Sequence, residues 1–358
     1  MFSNSMVGME IGKRTIKIAA GSFSMGKFVL KKHYVVDTPE NAFLANGALN
    51  PEIAGPYMRE IFKTNKLKRN NVHIAINTDK AIIRERVLPK AQLADLRNIS
   101  KFEIEQFLPY GVEDFVVDYK IMSIDSEEGE DVLNALVAAV PSDIIKSYIA
   151  TSKKSGFSIK SINIYSDCLG KFIENYLPYP DENILVVDIG ASLARLIIFK
   201  NNKYFASFNS KLGGDEASKM LARDQRLGIK EAEHKKVSMG LAMAKDLYSK
   251  DSLNGYVSDE SVLMTDYCDS LGAEISRVIN YFRTRKISGI IHRVVLIGGG
   301  TRIKEMDKYL QGMLGVDVEY FDKLQKMNFS ASESKTIHED IGKIAPAIGA
   351  VLRRAGNE

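Results

Sequence analysis

The sequence predicts an α/β protein of two related halves, and three stretches carry that prediction. Ile184-Leu185-Val186-Val187-Asp188-Ile189-Gly190-Ala191-Ser192 is a branched apolar run that suits a strand buried on both faces. Asp188 falls toward its carboxyl end, where open α/β sheets place ligands. Gly190 permits a tight turn and brings its N–H close to an anion. The same grammar occurs earlier, where strand 6–11 contains Glu10 and turns at Gly12, so the two acids lie 188 − 10 = 178 residues apart. In the third stretch, Val294-Val295-Leu296-Ile297 feeds the turn Gly298-Gly299-Gly300-Thr301 and then a helix.

The chain of 358 residues is long enough for two or more domains. Its 45% hydrophobic and 26% charged content is that of a globular protein in water. The net charge of +4 is mild, and scattered basic pairs argue against a nucleic-acid partner. The densest cluster is Lys66-Leu67-Lys68-Arg69; shorter pairs are Lys31-Lys32, Lys153-Lys154, Lys235-Lys236 and Arg353-Arg354. Solvated helix ends account for such pairs, and weak contact with anionic lipid headgroups is the sharper reading. Two distant cysteines, Cys168 and Cys268, suit packed, reduced thiols. Neither a secretory signal nor an apolar run long enough to span a bilayer is evident, so a cytoplasmic location is expected. The five histidines are isolated, and no nucleophilic triad signature or P-loop is found.

Taken in order, strands are expected at 6–11, 15–20 and 27–36, with Gly12-Lys13-Arg14-Thr15 as a loop supplying amides, cations and a hydroxyl suited to a triphosphate. A helix over 51–66 would show the stripe Ile53, Tyr57, Ile61 and Phe62, with Pro51 in its first turn and Pro56 an awkward interior residue. Strands at 72–76 and 82–88 follow. Residues 79–161 then read as a compact α+β insertion: helix 92–107 with Leu93, Leu96, Ile99, Ile104 and Phe107 apolar, strand 115–124, an acidic turn 125–131, strand 132–140, a helix capped near Pro141-Ser142-Asp143 and ending at Gly156, and strand 158–165. The second clamp has strands 184–189, 193–199 and 204–208, with Asn201-Asn202 as a turn and Gly213-Gly214 opening a helix. Residues 216–249 read as one helical, alanine-rich stretch. Residues 259–285 form a long amphipathic helix through Val262, Met264, Tyr267, Leu271, Ile275, Val278, Ile279 and Phe282. A helix at 303–314, a strand at 316–320, a polar loop at 329–340 and a helix at 341–354 complete the chain. The last helix is rich in small residues over 345–350, with Pro346 marking a bend.

Two hairpin loops with an acid and a glycine, followed by an IGGGT turn, resemble the actin and sugar-kinase type of ATPase. The order VGMEIGKRTIKIA, RERVLP, EQFLPYGVEDFVVDYKI, LVAAVPSDIIKSYIATSKKSGFSIKSINI, VVDIGAS is similar to the PilM family of type IV pilus assembly, and also to FtsA of cell division, which carries a comparable subdomain at this point. The resemblance implies an actin-like, ribonuclease H-like duplicated fold with an FtsA-type insertion. It divides the chain into a first domain at 1–78, the insertion at 79–161, a return at 162–183, a second domain at 184–215, an outer helical part at 216–285, an adenosine side at 286–340 and a hinge helix at 341–358.

The resemblance further implies a MgATP site. Gly12, Lys13, Arg14, Thr15, Gly190, Ala191, Ser192, Gly213 and Gly214 would hold phosphates. Glu10 and Asp188 would face Mg²⁺ and serve catalysis, and Gly298, Gly299, Gly300 and Thr301 would lie against adenosine. Glu233 and Lys236 are candidate base or ribose contacts, and Ser166 or Asp167 would orient the attacking water. Glu10 in place of the family's usual aspartate, and Leu193 in place of a hydroxyl residue, point to slow hydrolysis and a nucleotide switch. As partner the resemblance implies a PilN-type single-span membrane protein, bound by its N-terminal peptide between the first domain and the insertion and recruiting this chain to the inner face of the membrane. It also admits the pilus motor ATPases, the platform protein and a second copy of this chain. The alternative is an FtsA-like protein that polymerises and tethers FtsZ. Such chains end in a basic amphipathic helix, and the ending Arg353-Arg354-Ala355-Gly356-Asn357-Glu358 speaks against that reading.

Overall fold

A computed structural model describes residues 5–127, 130–177, 179–238, 241, 259–285, 289–321, 327–330, 337 and 340–352. The expectations for the tip of the acidic turn, helix beyond 241, most of loop 329–340 and the pair Arg353-Arg354 lie outside these residues. The chain divides into two compact units. Unit 1 comprises Met1–Asp37, His73–Ala75 and Tyr165–Glu358, and unit 2 comprises Thr38–Val72 and Ile76–Ile164.

Unit 1 begins with β1 (Ser5–Ile11), β2 (Thr15–Ser24) and β3 (Lys27–Asp37), an antiparallel meander. Met25 and Gly26 connect β2 to β3 with φ of 50° and 75°, the two-residue turn whose twist matches paired strands.

In unit 2, α1 (Pro51–Thr64) starts at Asn50, whose side chain accepts the Glu52 N–H at 3.1 Å. Its buried face is Ala54, Gly55, Met58, Ile61 and Phe62, so Ile53 and Tyr57 sit at the margin rather than on the stripe. Pro56 is exposed and leaves the helix continuous. Strand β4 (Val72–Ile76) contributes its middle residues to unit 1. The strands β5 (Ile82–Pro89), β6 (Phe115–Glu127) and β7 (Glu130–Pro141) make an antiparallel sheet in the order β5-β7-β6, with helix α2 (Leu93–Glu105) between β5 and β6 in sequence. Leu96 and Ile104 of α2 are buried with Leu88, Leu133, Val137 and Ala139 of the sheet. Helix α3 (Ser142–Ser155) follows, but its N-cap is Pro141, which offers no side-chain acceptor, so the expected capping bond is absent. Its C-cap is Gly156, with φ 77°. Ser155 Oγ donates to Gly55 O (3.1 Å) and Leu49 N–H to Ser147 Oγ (3.0 Å), fixing α3 against the α1 region. Strand β8 (Ile159–Ile164) ends the unit.

Unit 1 resumes at α4 (Tyr165–Tyr176) and repeats the opening meander as β9 (Ile184–Ile189), β10 (Ala194–Lys200) and β11 (Lys203–Ser210). Asn201 and Asn202 turn at φ 48° and 60°, as asparagine tolerates. The strand β12 (Arg293–Ile297) pairs parallel with β9, and β13 (Asp317–Tyr320) with β12. The order β11-β10-β9-β12 in this sheet repeats β3-β2-β1-β4 in the first, which is the duplication seen as structure. Short β14 (Asn328–Phe329) extends the first sheet beside β3.

The single helix expected from 216 is two, α5 (Gly214–Gln225) and α6 (Ile229–Ser238), because Arg226 turns left-handed at φ 55° and ends the first. The long helix α7 (Asp259–Thr284) buries Met264, Tyr267, Leu271, Ile275, Val278 and Phe282 against β9, β10 and β12, while Val262 remains exposed. The next helix, α8 (Met306–Leu314), starts three residues later than predicted. The last, α9 (Ile341–Val351), contains Pro346 and is almost wholly buried. A Cβ at Gly8 would fall 1.8 Å from Ala347 O, and one at Gly349 would fall 1.8 Å from Cys168 O. Glycine is what lets α9 touch both β1 and α4. No described helix is long and apolar enough to cross a membrane.

Candidate functional site

The site is built by three turns at strand ends within unit 1. In the first, Gly12 N–H donates to Thr15 O at 3.0 Å; in the second, Gly190 N–H donates to Leu193 O at 2.9 Å. These are the same four-residue reversal at positions 178 apart. Each acid sits two residues before the turn glycine, and a cation faces it across the hairpin: Glu10 registers with Lys17 and Asp188 with Arg195. Lys17 and Arg195 repeat the same spacing, 195 − 17 = 178.

Both acids are buried, Glu10 at 0% and Asp188 at 3% exposure. Lys17 Nζ lies 3.0 Å from Glu10 Oε1, an ion pair with one fully buried partner. Asp188 is held differently. Tyr165, the first residue of α4, donates its hydroxyl to Asp188 Oδ2, and the Arg195 guanidinium lies over the Tyr165 ring, 4.6 Å from its centroid. Burial pushes the Asp188 carboxyl up to about 6, with the Glu10 charge adding to the rise and the Tyr165 hydrogen bond, Arg195 and Lys17 opposing it. Burial likewise raises the Tyr165 phenol well above its ordinary value, helped by the charges of Asp188 and Glu10.

The start of α5 fastens the second turn. Gly214 N–H donates to Gly190 O at 2.9 Å and Asp215 N–H to Ala191 O at 2.8 Å, so the first amides of the helix are spent on that loop. Gly213 cannot carry a Cβ, which would lie 2.4 Å from Ala191 O. Arg14 of the first loop reaches across to Asp215, Nε to Oδ1 at 2.6 Å, with Glu233 at 4.0 Å. Lys13 is exposed, and Ala191 and Ser192 are half-buried.

Beneath α5 lies a polar knot. Lys236 is 1% exposed and directs its ammonium to Gly214 O (2.9 Å), Ser218 Oγ (3.1 Å) and Glu233 Oε2 (2.7 Å). Burial lowers the Lys236 pKa, while the Glu233 bond opposes the fall. Burial would raise Glu233, but hydrogen bonds from Lys236 and Ser218 outweigh it and the carboxyl is lowered. All three ammonium donors are therefore engaged inside the protein. This Lys236 supports the Gly214 backbone rather than projecting into open space.

The glycine turn after β12 abuts both. Ile297 registers beside Asp188, and Gly298 at φ 93° has room only for hydrogen: a Cβ would lie 2.5 Å from Asp188 Oδ1. Gly300 is equally tight against Ile189, whereas Gly299 is exposed with nothing within 4 Å of a Cβ. Thr301 Oγ1 donates to Gly298 O at 2.9 Å, closing a single 3-10 turn over Gly299–Thr301. Of the two residues proposed to position water, Asp167 pairs with Lys171 at 3.1 Å, and the buried Ser166 hydroxyl has no hydrogen-bond partner among the described residues.

The structure thus gathers Glu10, Arg14, Asp188, Gly190, Gly214 and Gly298 around one locus. Sequence reasoning missed Lys17, Tyr165, Arg195, Asp215 and Ser218. A signal existed for Lys17 and Arg195, charged residues at repeat-related positions in otherwise apolar strands. None marked Tyr165. The donor set suits a magnesium nucleotide: two buried carboxylates, neighbouring cations and a backbone cradle open at Gly299. Among the described residues no three His, Cys, Asp or Glu side chains converge, so a metal held here would share its shell with phosphate and water.

The family model of the type IV pilus assembly protein PilM matches residues 8–355. Among solved structures, a PilM-PilN type IV pilus biogenesis complex is similar at a TM-score of 0.80 and 21% identity, covering 97% of this chain and 99% of that one. The ethanolamine utilization protein EutJ from Carboxydothermus hydrogenoformans is similar at 0.54 and 12% identity, over 99% of this chain and 91% of that one. MreB 5 of Spiroplasma citri, solved with AMPPNP, is similar at 0.50 and 12% identity, over 95% and 97%. With strand order, duplication and neighbours agreeing, the fold is actin-like, and the chain belongs to the family of the type IV pilus assembly protein PilM.

Proposed function

We propose that this actin-like protein of type IV pilus assembly binds a magnesium nucleoside triphosphate between its two repeat-related turns and uses it as a conformational switch. The observation that carries the reading is the matched pair of turns, each with a buried acid two residues before a glycine whose amide closes the reversal. Glu10 and Asp188 would face Mg²⁺, which when bound neutralises phosphate charge. Lys13, Arg14 and Thr15 would meet the phosphates from one side, and Ala191 and Ser192 from the other; Gly12, Gly190 and Gly214 shape the turns instead of donating to the anion, because their amides are spent on Thr15 O, Leu193 O and Gly190 O. Gly213 permits the close approach of α5 to the second turn. The exposed, side-chain-free Gly299, flanked by Gly298, Gly300 and Thr301, suits the flat face of a base. Glu233 would reach the ribose side, with Lys236 as its support. Any hydrolysis is slow, with the Ser166 hydroxyl the group available to orient water.

We further propose that the chain acts as an adaptor, taking the N-terminal cytoplasmic peptide of a PilN-type single-span membrane protein. Family membership and the PilM-PilN neighbour support this reading. Two measurements test the function together. MgATP at one hundred times its Kd raises the melting temperature by an amount equivalent to about 2.7 kcal/mol, and a tagged pull-down from native membranes recovers a small single-span pilus protein that a peptide of its N-terminus displaces. No thermal shift with any nucleotide refutes the first part; recovery of a tubulin-like division protein instead refutes the second.

A further inference from the structure

Two basic stretches outside the candidate site come together in unit 2. Lys66-Leu67-Lys68-Arg69 and Lys153-Lys154 are 153 − 69 = 84 residues apart in sequence. The rings of Phe62 and Phe157 stack with centroids 4.8 Å apart, at the ends of α1 and α3. Ser158 N–H donates to Arg69 O at 2.7 Å, and Arg69 Nη1 approaches Ser155 O and Gly156 O at 3.4 and 3.5 Å. Arg59 Nη2 donates to Lys154 O. The two helix ends are held side by side, and their cations share one surface. Residues 59–69 carry five cations and one acid, and residues 153–160 carry three cations and no acid.

The way these cations are spent indicates the partner. Both arginines direct guanidinium N–H groups at the last carbonyls of α3 and its C-cap, a capping role. Lys154 pairs with Glu52 at 2.5 Å, and Glu60 accepts from Thr64 at 3.1 Å. Lys63, Lys66, Lys68 and Lys153 are exposed and have no ion-pair partner among the described residues. The surface therefore offers ammonium point charges on flexible stems, while the planar arginine forks, though solvent-accessible, are engaged by the carbonyls at the end of α3. The apolar residue inside the lysine cluster, Leu67, is buried, whereas protein interfaces draw most of their affinity from aromatic or arginine anchors at their centre. Diffuse lysine charge fits an extended polyanionic plane.

We propose that this face of unit 2 binds the headgroups of anionic phospholipids at a membrane surface. The attraction is electrostatic and falls off within a Debye length, so it orients a chain already near the bilayer rather than anchoring it.

The test is co-sedimentation of the full chain with vesicles of phosphatidylcholine alone or doped with phosphatidylglycerol, at low and high salt. Binding is expected only to the doped vesicles, with release by salt. Each lysine contributes about fivefold, so the combined Lys63→Glu, Lys66→Glu, Lys68→Glu, Lys153→Glu variant loses about a hundredfold or more. The same four positions changed to arginine retain binding, because charge and not lysine identity is what acts. If the reversed variant does not melt as wild type, Lys68→Gln and Lys153→Gln replace it, each expected to weaken binding about fivefold. Equal binding to undoped vesicles, or a charge-reversed variant that binds as wild type does, overturns the proposal. So does failure to bind doped vesicles while immobilised polyglutamate retains the chain, which would reassign the face to an acidic protein segment.

Discussion

Glu10 and Asp188 occupy repeat-related places at the ends of β1 and β9, and each faces a cation seven residues on, yet the protein treats them differently. At the first turn Lys17 meets the carboxylate directly, charge to charge, at 3.0 Å. At the second, a phenol from α4 takes Asp188 Oδ2 while Arg195 packs over that phenol's ring. A direct ion pair neutralises its acid. A hydroxyl donor stabilises the anion less, and burial dominates there, which is why Asp188 sits near 6. Duplicated scaffolds thus need not give duplicated electrostatics: the backbone turn and the facing cation are copied, but Asp188 also receives the Tyr165 hydroxyl from α4, and Arg195 packs on that ring.

The comparison can be broken most severely at Asp188. Asp188→Ala removes the acid without disturbing the Gly190 turn, and MgATP should no longer raise its melting temperature; a full wild-type shift would show that the second turn does not serve the metal. Lys17→Met should be the next largest effect. It takes the Lys17 ammonium away from a fully buried carboxylate, and breaking such a pair costs about 3 kcal/mol or more. A chemical-denaturation midpoint measures this, and Lys17→Met with Glu10→Gln should recover most of the loss.

Tyr165→Phe sharpens the contrast, because it keeps the ring beneath Arg195 and deletes only the hydroxyl. Freed of its donor, Asp188 should take a metal more readily. At pH 8, where the carboxyl stays ionised even though losing the bond lets its pKa rise, the affinity for MgATP is expected to increase about tenfold, the size of a hydrogen bond to a charged group, with ATP in EDTA unchanged. Titration calorimetry separates the two cases, and a loss in both would make Tyr165 merely structural. The smallest effect is with pH. A carboxyl raised to about 6 binds its proton as pH falls through that value, so MgATP affinity should drop about fourfold between pH 7 and 5.5. The linkage to folding has the same origin: the folded state holds this proton more tightly than the unfolded chain, so that contribution to stability is present below the ordinary carboxylate range and is lost as pH rises through about 6. Asp188→Asn should flatten both profiles.

Local patterns decided much of this protein. Buried strands declare themselves as apolar runs, and their turns as glycine or paired asparagine, so both meanders, the glycine turn and the acids at 10 and 188 were legible in the sequence. The family followed from the order of those pieces. Where a local rule had competitors the reading slipped: one helix at 216–249 became two at Arg226, and α3 began without a capping side chain. Only the tertiary structure decided that Tyr165 meets Asp188, that α5 spends its first amides on the second turn, that Lys236 is buried beneath it, and that basic residues 84 positions apart form one face. These depend on how remote segments pack, and periodicity carries no record of which side chain a distant element will place against a given carboxylate.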